Sequence, residues 1–188
     1  MANAFVITGP SGVGKGTLIR LLREAVPELR LSVSATTRAP RPGERNGVDY
    51  WFLSEHEFSE RVAAGDFIEW AEYSGRRYGT LRDELDGKSG VPVVLEIEVQ
   101  GARQVRQTMP EAVQIFIAPP SAQALRDRLV GRGTDATPEV ERRLRVAEQE
   151  LEAQDEFAHV VVNDRLDDAA AELIRVVTEA LGTLRAHD

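Results

Sequence analysis

The feature that most constrains this chain is a run near its start, Gly9-Pro10-Ser11-Gly12-Val13-Gly14-Lys15-Gly16-Thr17. An apolar, strand-like stretch (Ala4 to Ile7) precedes it, and an amphipathic helix pattern (Leu18, Ile19, Leu21, Leu22, Val26) follows. Strand, glycine loop and helix in that order are what a phosphate-binding P-loop requires. The glycines let the backbone curl until several N–H groups point at one anion. The first turn of the helix adds its unpaired N–H groups and the positive end of its dipole. Lys15 is placed to reach the terminal phosphates of a nucleoside triphosphate, and it is one of only two lysines, the other being Lys88. The strict pattern puts Ser or Thr directly after the lysine. Here Gly16 stands there, and the hydroxyl that could help to hold Mg²⁺, mostly bound through phosphates and water, comes one residue later at Thr17.

A length of 188 residues suits one domain with a well-buried core. A formal net charge of −8 argues against a nucleic-acid partner but not against nucleotides, for which a few local arginines suffice. With no cysteine, disulfides, thiolate metal sites and cysteine nucleophiles are excluded. No apolar stretch approaches membrane-spanning length and the first strand begins almost at once, so the expectation is a cytoplasmic protein without a membrane partner.

After the P-loop helix, Leu29 to Ala35 reads as a second strand, with Leu29, Leu31 and Val33 alternating. It runs into an irregular loop from Thr36 to Gly47 with two prolines, two glycines and the three arginines Arg38, Arg41 and Arg45, suited to bidentate anion capture. Val48 to Leu53 is strand-like and rich in aromatics. Ser54 and Glu57 have capping-box spacing for a helix ending near Gly65. Phe67 to Tyr73 is β-prone, and Thr80 is expected to cap a helix from Leu81 towards Asp86. Val91 to Ile97 is a nearly continuous apolar run, as a strand buried on both faces would be, with Glu96 and Glu98 at its carboxyl end, where open α/β sheets bind ligands. A helix is expected from Gln100-Gly101, then a strand from Ala112 to Ala118, and a helix capped by Ser121. A further helix capped by Thr137 carries Val140, Leu144, Ala147 and Leu151 on one face. His159 to Val162 is a short strand, and Leu166 to Leu184 a closing helix. The alternation implies an α/β fold, a parallel sheet of about five strands flanked by helices, with a small β-rich insertion.

The ordered set of segments resembles the guanylate kinases over essentially the whole chain. It comprises the P-loop, Ser34-Ala-Thr-Thr-Arg38-Ala-Pro-Arg41-Pro-Gly-Glu44, Asp49-Tyr-Trp-Phe52, Phe67-Ile-Glu-Trp-Ala71 and Tyr78-Gly-Thr80. Leu95-Glu-Ile-Glu-Val-Gln-Gly101, Arg132-Gly-Thr134, Arg142-Arg-Leu144 and Val162-Asn-Asp164 complete it. The resemblance implies a P-loop NTPase fold in three parts: a core (1–33, 89–125 and 156–188), a GMP-binding insertion (34–88) and a lid (126–155). It implies the reaction ATP + GMP (or dGMP) → ADP + GDP (or dGDP), with Mg²⁺.

By the same resemblance, Arg38, Arg41, Tyr50 and Tyr78 hold the GMP phosphate, and Ser34, Glu69 and Thr80 read the base. Residues Gly9 to Thr17, with Arg132 and Asn163, bind ATP, Asn163 beside the adenine and through its backbone more than its side chain. Lys15, Arg38, Arg132 and Arg143 neutralise charge on the transferring group, since phosphoryl transfer asks positioning and charge stabilisation rather than a nucleophilic side chain. Glu98 matches an acidic family position near the metal and the GMP ribose, and Glu96 has a Walker-B-like place through water. Arg126 and Arg128 are weaker candidates, expected on a solvated helix surface, and His56, His159 and His187 are expected to be structural or exposed. Two other readings use the same segments: a ribose-bisphosphate kinase on this scaffold, and a non-catalytic guanylate-kinase-like binding module. Neither needs the whole set, and the sequence leaves oligomeric state open.

Overall fold

The computed structural model describes residues 4–73, 75–86, 91–130 and 137–185. In chain order it contains β1 (Ala4–Thr8), α1 (Lys15–Ala25), β2 (Arg30–Leu31), β3 (Ala35–Thr36), β4 (Trp51–Phe52), α2 (Glu55–Ala64), β5 (Phe67–Tyr73), β6 (Arg76–Leu81) and α3 (Asp83–Asp86). There follow β7 (Val93–Glu96), α4 (Val99–Thr108), β8 (Val113–Ala118), α5 (Ala122–Val130), α6 (Thr137–Glu152), a 3₁₀ turn (Ala153–Glu156), β9 (His159–Val162) and α7 (Leu166–Arg185).

The first sheet has the order β2-β7-β1-β8-β9, and every pairing in it is parallel. Its central strand, β1, is buried on both faces, and its alternation divides the core. Phe5 and Ile7 pack with Leu18, Ile19 and Leu22 of α1 and Leu173 and Val177 of α7. Ala4 and Val6 face the other way, onto Val99, Ala102 and Val105 of α4. Helices therefore cover both faces, as a parallel sheet demands, and the loop after β1 opens at the carboxyl edge.

The second sheet, β4-β3-β6-β5, is mixed: β3 runs parallel to β4 and antiparallel to β6, and β5 and β6 are antiparallel. It has its own small core of Ala35, Phe58, Phe67 and Leu81, with the Phe58 and Phe67 rings stacked 4.5 Å apart. The capping box forms: the Glu57 amide donates to Ser54 Oγ at 3.2 Å and the Ser54 amide to Glu57 Oε2 at 2.7 Å, fixing the start of α2.

Three local expectations are corrected. Leu29 to Ala35 is not one strand: the Ser32 amide still donates to Val94 O, and then the chain leaves the first sheet and re-pairs as β3 in the second. Between Val48 and Leu53 only Trp51–Phe52 is strand, because the Val48 and Asp49 amides turn back onto Arg45 O. Thr80 caps no helix; it lies inside β6, fully buried, and α3 begins only at Asp83. No helix among the described residues is long and apolar enough to cross a membrane.

Candidate active site

The P-loop connects β1 to α1, and Gly14 caps the helix with φ +100°. A side chain there would be strained, and its Cβ would also lie 2.6 Å from Asn163 Nδ2. That contact shows how the loop is braced. Asn163, buried at the end of β9, donates from Nδ2 to Val13 O at 2.7 Å, while its own amide is held by Ala118 O. Arg128 joins the brace, donating to Asn163 O (2.9 Å) and to Val13 O (3.4 Å). Arg128 is therefore not a solvated surface arginine, whereas Arg126 is exposed. Asn163 supports the loop through its side chain, not only its backbone. Lys15 Nζ curls over the loop, donating to Gly9 O at 2.5 Å and Pro10 O at 3.3 Å.

The loop forms one wall of a cavity of about 530 Å³. Ser11, Lys15, Gly16 and Thr17 line it from the first sheet's edge, with Glu96 and Glu98 from the end of β7. Ser34, Tyr50, Glu69 and Tyr78 line it from the side of the second sheet. Residues 19 (Ser34) to 83 (Glu98) positions after Lys15 thus converge with the loop across one space.

Glu69 is the most unusual of them. It is 4% exposed, and its Oε1 accepts from Thr80 Oγ1 at 2.7 Å across the β5–β6 ladder. Its Oε2 lies where a Cβ on Gly101 would be, 2.4 Å away, so α4 can approach only because residue 101 is glycine. Burial pushes the Glu69 carboxyl up to about 7, against the Thr80 hydrogen bonds that pull it down.

Tyr50 and Tyr78 meet edge-to-face at 6.3 Å. Arg38 lies over the Tyr50 ring at 5.1 Å, and Glu44 grips its guanidinium bidentately at 2.9 and 3.0 Å. The Arg41 side chain is exposed, and its amide donates to the same Glu44. Neither arginine is among the residues that line the cavity.

One acidic group here was not legible as a site residue. Glu150, on α6, is 8% exposed, and its Oε2, like that of Glu98, is buried without a hydrogen-bond partner. Burial, with Glu98 beside it, pushes the Glu150 carboxyl far up. Its signal was an acid beside an apolar stripe, three residues after Ala147. Burial likewise raises Glu96, and Lys15 partly offsets this. Arg132 and the side chain of Arg143 lie outside the described residues. His56 and His159 are exposed, and His187 lies outside the described residues.

The family model for guanylate kinase matches residues 1–180. The chain belongs to the guanylate kinase family. Among its relatives, the guanylate kinase of Synechococcus sp. (strain CC9311) is 55% identical over 175 residues, spanning 92% of each chain. That of Rubrobacter xylanophilus is 53% identical over 174 residues, 92% of this chain and 91% of the relative. The crystal structure of guanylate kinase from Anaplasma phagocytophilum superposes with a TM-score of 0.74 at 31% identity, covering 95% of this chain and 86% of that one. The P-loop fold, a five-stranded parallel sheet flanked by helices, is thus shared with that guanylate kinase.

Proposed function

We infer that this chain phosphorylates GMP or dGMP with ATP, giving ADP and GDP or dGDP, in purine nucleotide metabolism and GMP recycling. The observation that carries this is a single cavity walled by the P-loop with Lys15 on one side and by the buried Glu69 on the other. Guanine offers two adjacent donors, N1–H and the 2-amino group, that one carboxylate accepts together. Adenine has an acceptor at N1 and no 2-amino group, and would leave Glu69 unpaired. Such a mismatch discriminates by about 10³-fold or more.

In the transfer, a GMP phosphate oxygen bonds to the γ-phosphorus as the bond to the β–γ bridging oxygen breaks, with charge spread over the equatorial oxygens. Lys15 exchanges the loop carbonyls for phosphate oxygens, which as anions are the stronger acceptors. The loop amides hold the ATP phosphates, and the Asn163–Arg128 brace keeps those amides aimed. Tyr50 and Tyr78, with Arg38 and Arg41 beside them, hold the GMP phosphate, while Ser34 and Thr80 assist Glu69 with the base. Arg132 and Arg143 would neutralise charge from the lid. Glu98 faces the GMP ribose. Hard oxygen donors, the Thr17 hydroxyl and the Glu96 carboxylate, line the cavity beside Lys15 and suit Mg²⁺. Thr17 would hold the ion, Glu96 through water, and bound Mg²⁺ would neutralise phosphate charge.

The same reading divides the chain into a core (1–33, 89–125, 156–188), a GMP-binding insertion (34–88) and a lid (126–155), supported by the separate small core of the second sheet. It places the protein in the cytoplasm, with its substrates. The test is a coupled ADP-release assay with ATP and Mg²⁺, offering GMP, dGMP, AMP, CMP, UMP and ribose 1,5-bisphosphate. Turnover confined to guanine nucleotides is expected. Turnover with the sugar phosphate alone would overturn the acceptor, and GMP binding without turnover would overturn the catalytic reading.

A further inference from the structure

Two stretches of chain join the sheets: residues 32–34, from β2 to β3, and residues 82–92, from β6 to β7. They meet at Glu84, on α3. Its Oε2 accepts from the Arg30 guanidinium at 2.7 Å and the Val33 amide at 3.0 Å, and its Oε1 from the Trp51 indole N–H at 3.1 Å. Arg30 belongs to the first sheet, Trp51 to the second, and Val33 to the crossing between them. One carboxylate therefore ties both sheets and the link that joins them.

The tie is strong for physical reasons. The Glu84 side chain is 11% exposed and that of Arg30 24%, so water competes weakly. Burial alone would push the Glu84 carboxyl up, but Val33, Trp51 and Arg30 outweigh it and hold the group below the usual carboxylate range. It is an ionised acceptor with three donors, and such bonds are about twice as strong as neutral ones. Arg30 Nε is buried without a partner, so the guanidinium has little else to hold it.

The position of the tie connects it to substrate. Ser34 follows Val33, Tyr50 precedes Trp51, and both Ser34 and Tyr50 line the cavity. The Trp51 amide also donates to Ser34 O at 2.9 Å, locking the two segments to each other. Glu84 itself does not line the cavity. We propose that Glu84 is a positioning residue for the acceptor nucleotide: through Val33 and Trp51 it sets Ser34 and Tyr50 against the P-loop. This deepens the GMP reading of the site and rests on it. None of the three bonds touches the P-loop, so ATP binding is the internal control.

The test uses Glu84→Gln and Trp51→Phe in a Trp70→Phe background, which leaves Trp51 as the only indole of the two in the chain. Glu84→Gln keeps the shape but puts an amide N–H₂ against one of the donors. It is expected to raise KM for GMP about tenfold, the equivalent of one lost charge-assisted bond, with KM for ATP and kcat within about twofold. The Trp51 emission should shift, and a GMP titration followed by that emission without ATP should show the same loss of affinity. Trp51→Phe removes one donor and leaves the other two bonds; it should raise KM for GMP about threefold. Adding Glu84→Gln to it should cost less than in the parent, since the two residues share one bond. An unchanged KM for GMP in Glu84→Gln overturns the proposal. So does a parallel rise in both KM values with a lower Tm, which is what a merely structural residue would give. A parent chain that fails to use GMP would overturn the functional reading, and this inference with it; a parent that uses GMP beside an indifferent Glu84→Gln overturns the inference alone.

Discussion

Glu69 offers the sharpest test of the guanine reading, because its role needs a charge that its burial opposes. Its carboxyl is raised from 4.5 to about 7, whereas pairing with N1–H and the 2-amino group requires the carboxylate. If only the ionised fraction binds GMP, the apparent affinity is reduced by that fraction. With a midpoint near 7, about one molecule in ten is ionised at pH 6 and about nine in ten at pH 8. The expected result is a roughly tenfold fall in KM for GMP from pH 6 to pH 8, at saturating ATP. The phosphate of GMP titrates near pH 6 as well, so the diagnostic is the difference between the parent and Glu69→Gln. The glutamine variant should lose about 10²–10³ in kcat/KM for GMP, along with the part of the pH profile centred near 7. The same group makes a stability prediction whose sign follows from its raised pKa. Its contribution is fully present below pH 4.5 and is lost as pH rises through 7, a difference of about 3 kcal/mol. Glu69→Gln should therefore gain thermal stability relative to the parent between pH 5 and 8. A parent profile that Glu69→Gln reproduces unchanged would refute the reasoning.

Lys15→Met should lower kcat by about 10³-fold or more while shifting Tm little, because the ammonium bonds only two loop carbonyls; unchanged turnover would remove it from the chemistry. Gly101→Ala must displace Glu69 Oε2 from a Cβ 2.4 Å away, so KM for GMP should rise with KM for ATP unaffected, and steady-state kinetics with each substrate varied would show the split. Asn163→Ala strips a buried hydrogen bond from Val13 O, costing about 1–3 kcal/mol in denaturant unfolding and raising KM for ATP more than for GMP; the reverse order would put Asn163 outside the loop's support.

The features that could be read without the fold are those whose physics is local. The P-loop is contiguous, and its glycines and lysine fall within nine residues at the junction of β1 and α1. The Ser54–Glu57 capping box closes within one helical turn and formed as read. The buried strands β1, β7 and β8 were legible because two-sided burial demands an apolar run, whatever the neighbours. Apolar alternation misled between Leu29 and Ala35, because period two persists when a strand exchanges one sheet for another. Thr80 misled similarly: a hydroxyl before a helix-like run has the composition of a cap, but the ladder with β5 placed it opposite Glu69.

The sequence by itself determined a nucleotide-binding α/β chain and, through its ordered segments, the family. Tertiary structure alone decided which charges meet. Asn163 reaches Val13 across 150 positions and Arg128 across 115, Glu150 is buried beside Glu98, and Glu84 collects donors from both sheets. A polar side chain carries no local mark of its partner. Its role follows from the desolvation that a particular packing imposes and from the group that packing sets within hydrogen-bonding reach of it.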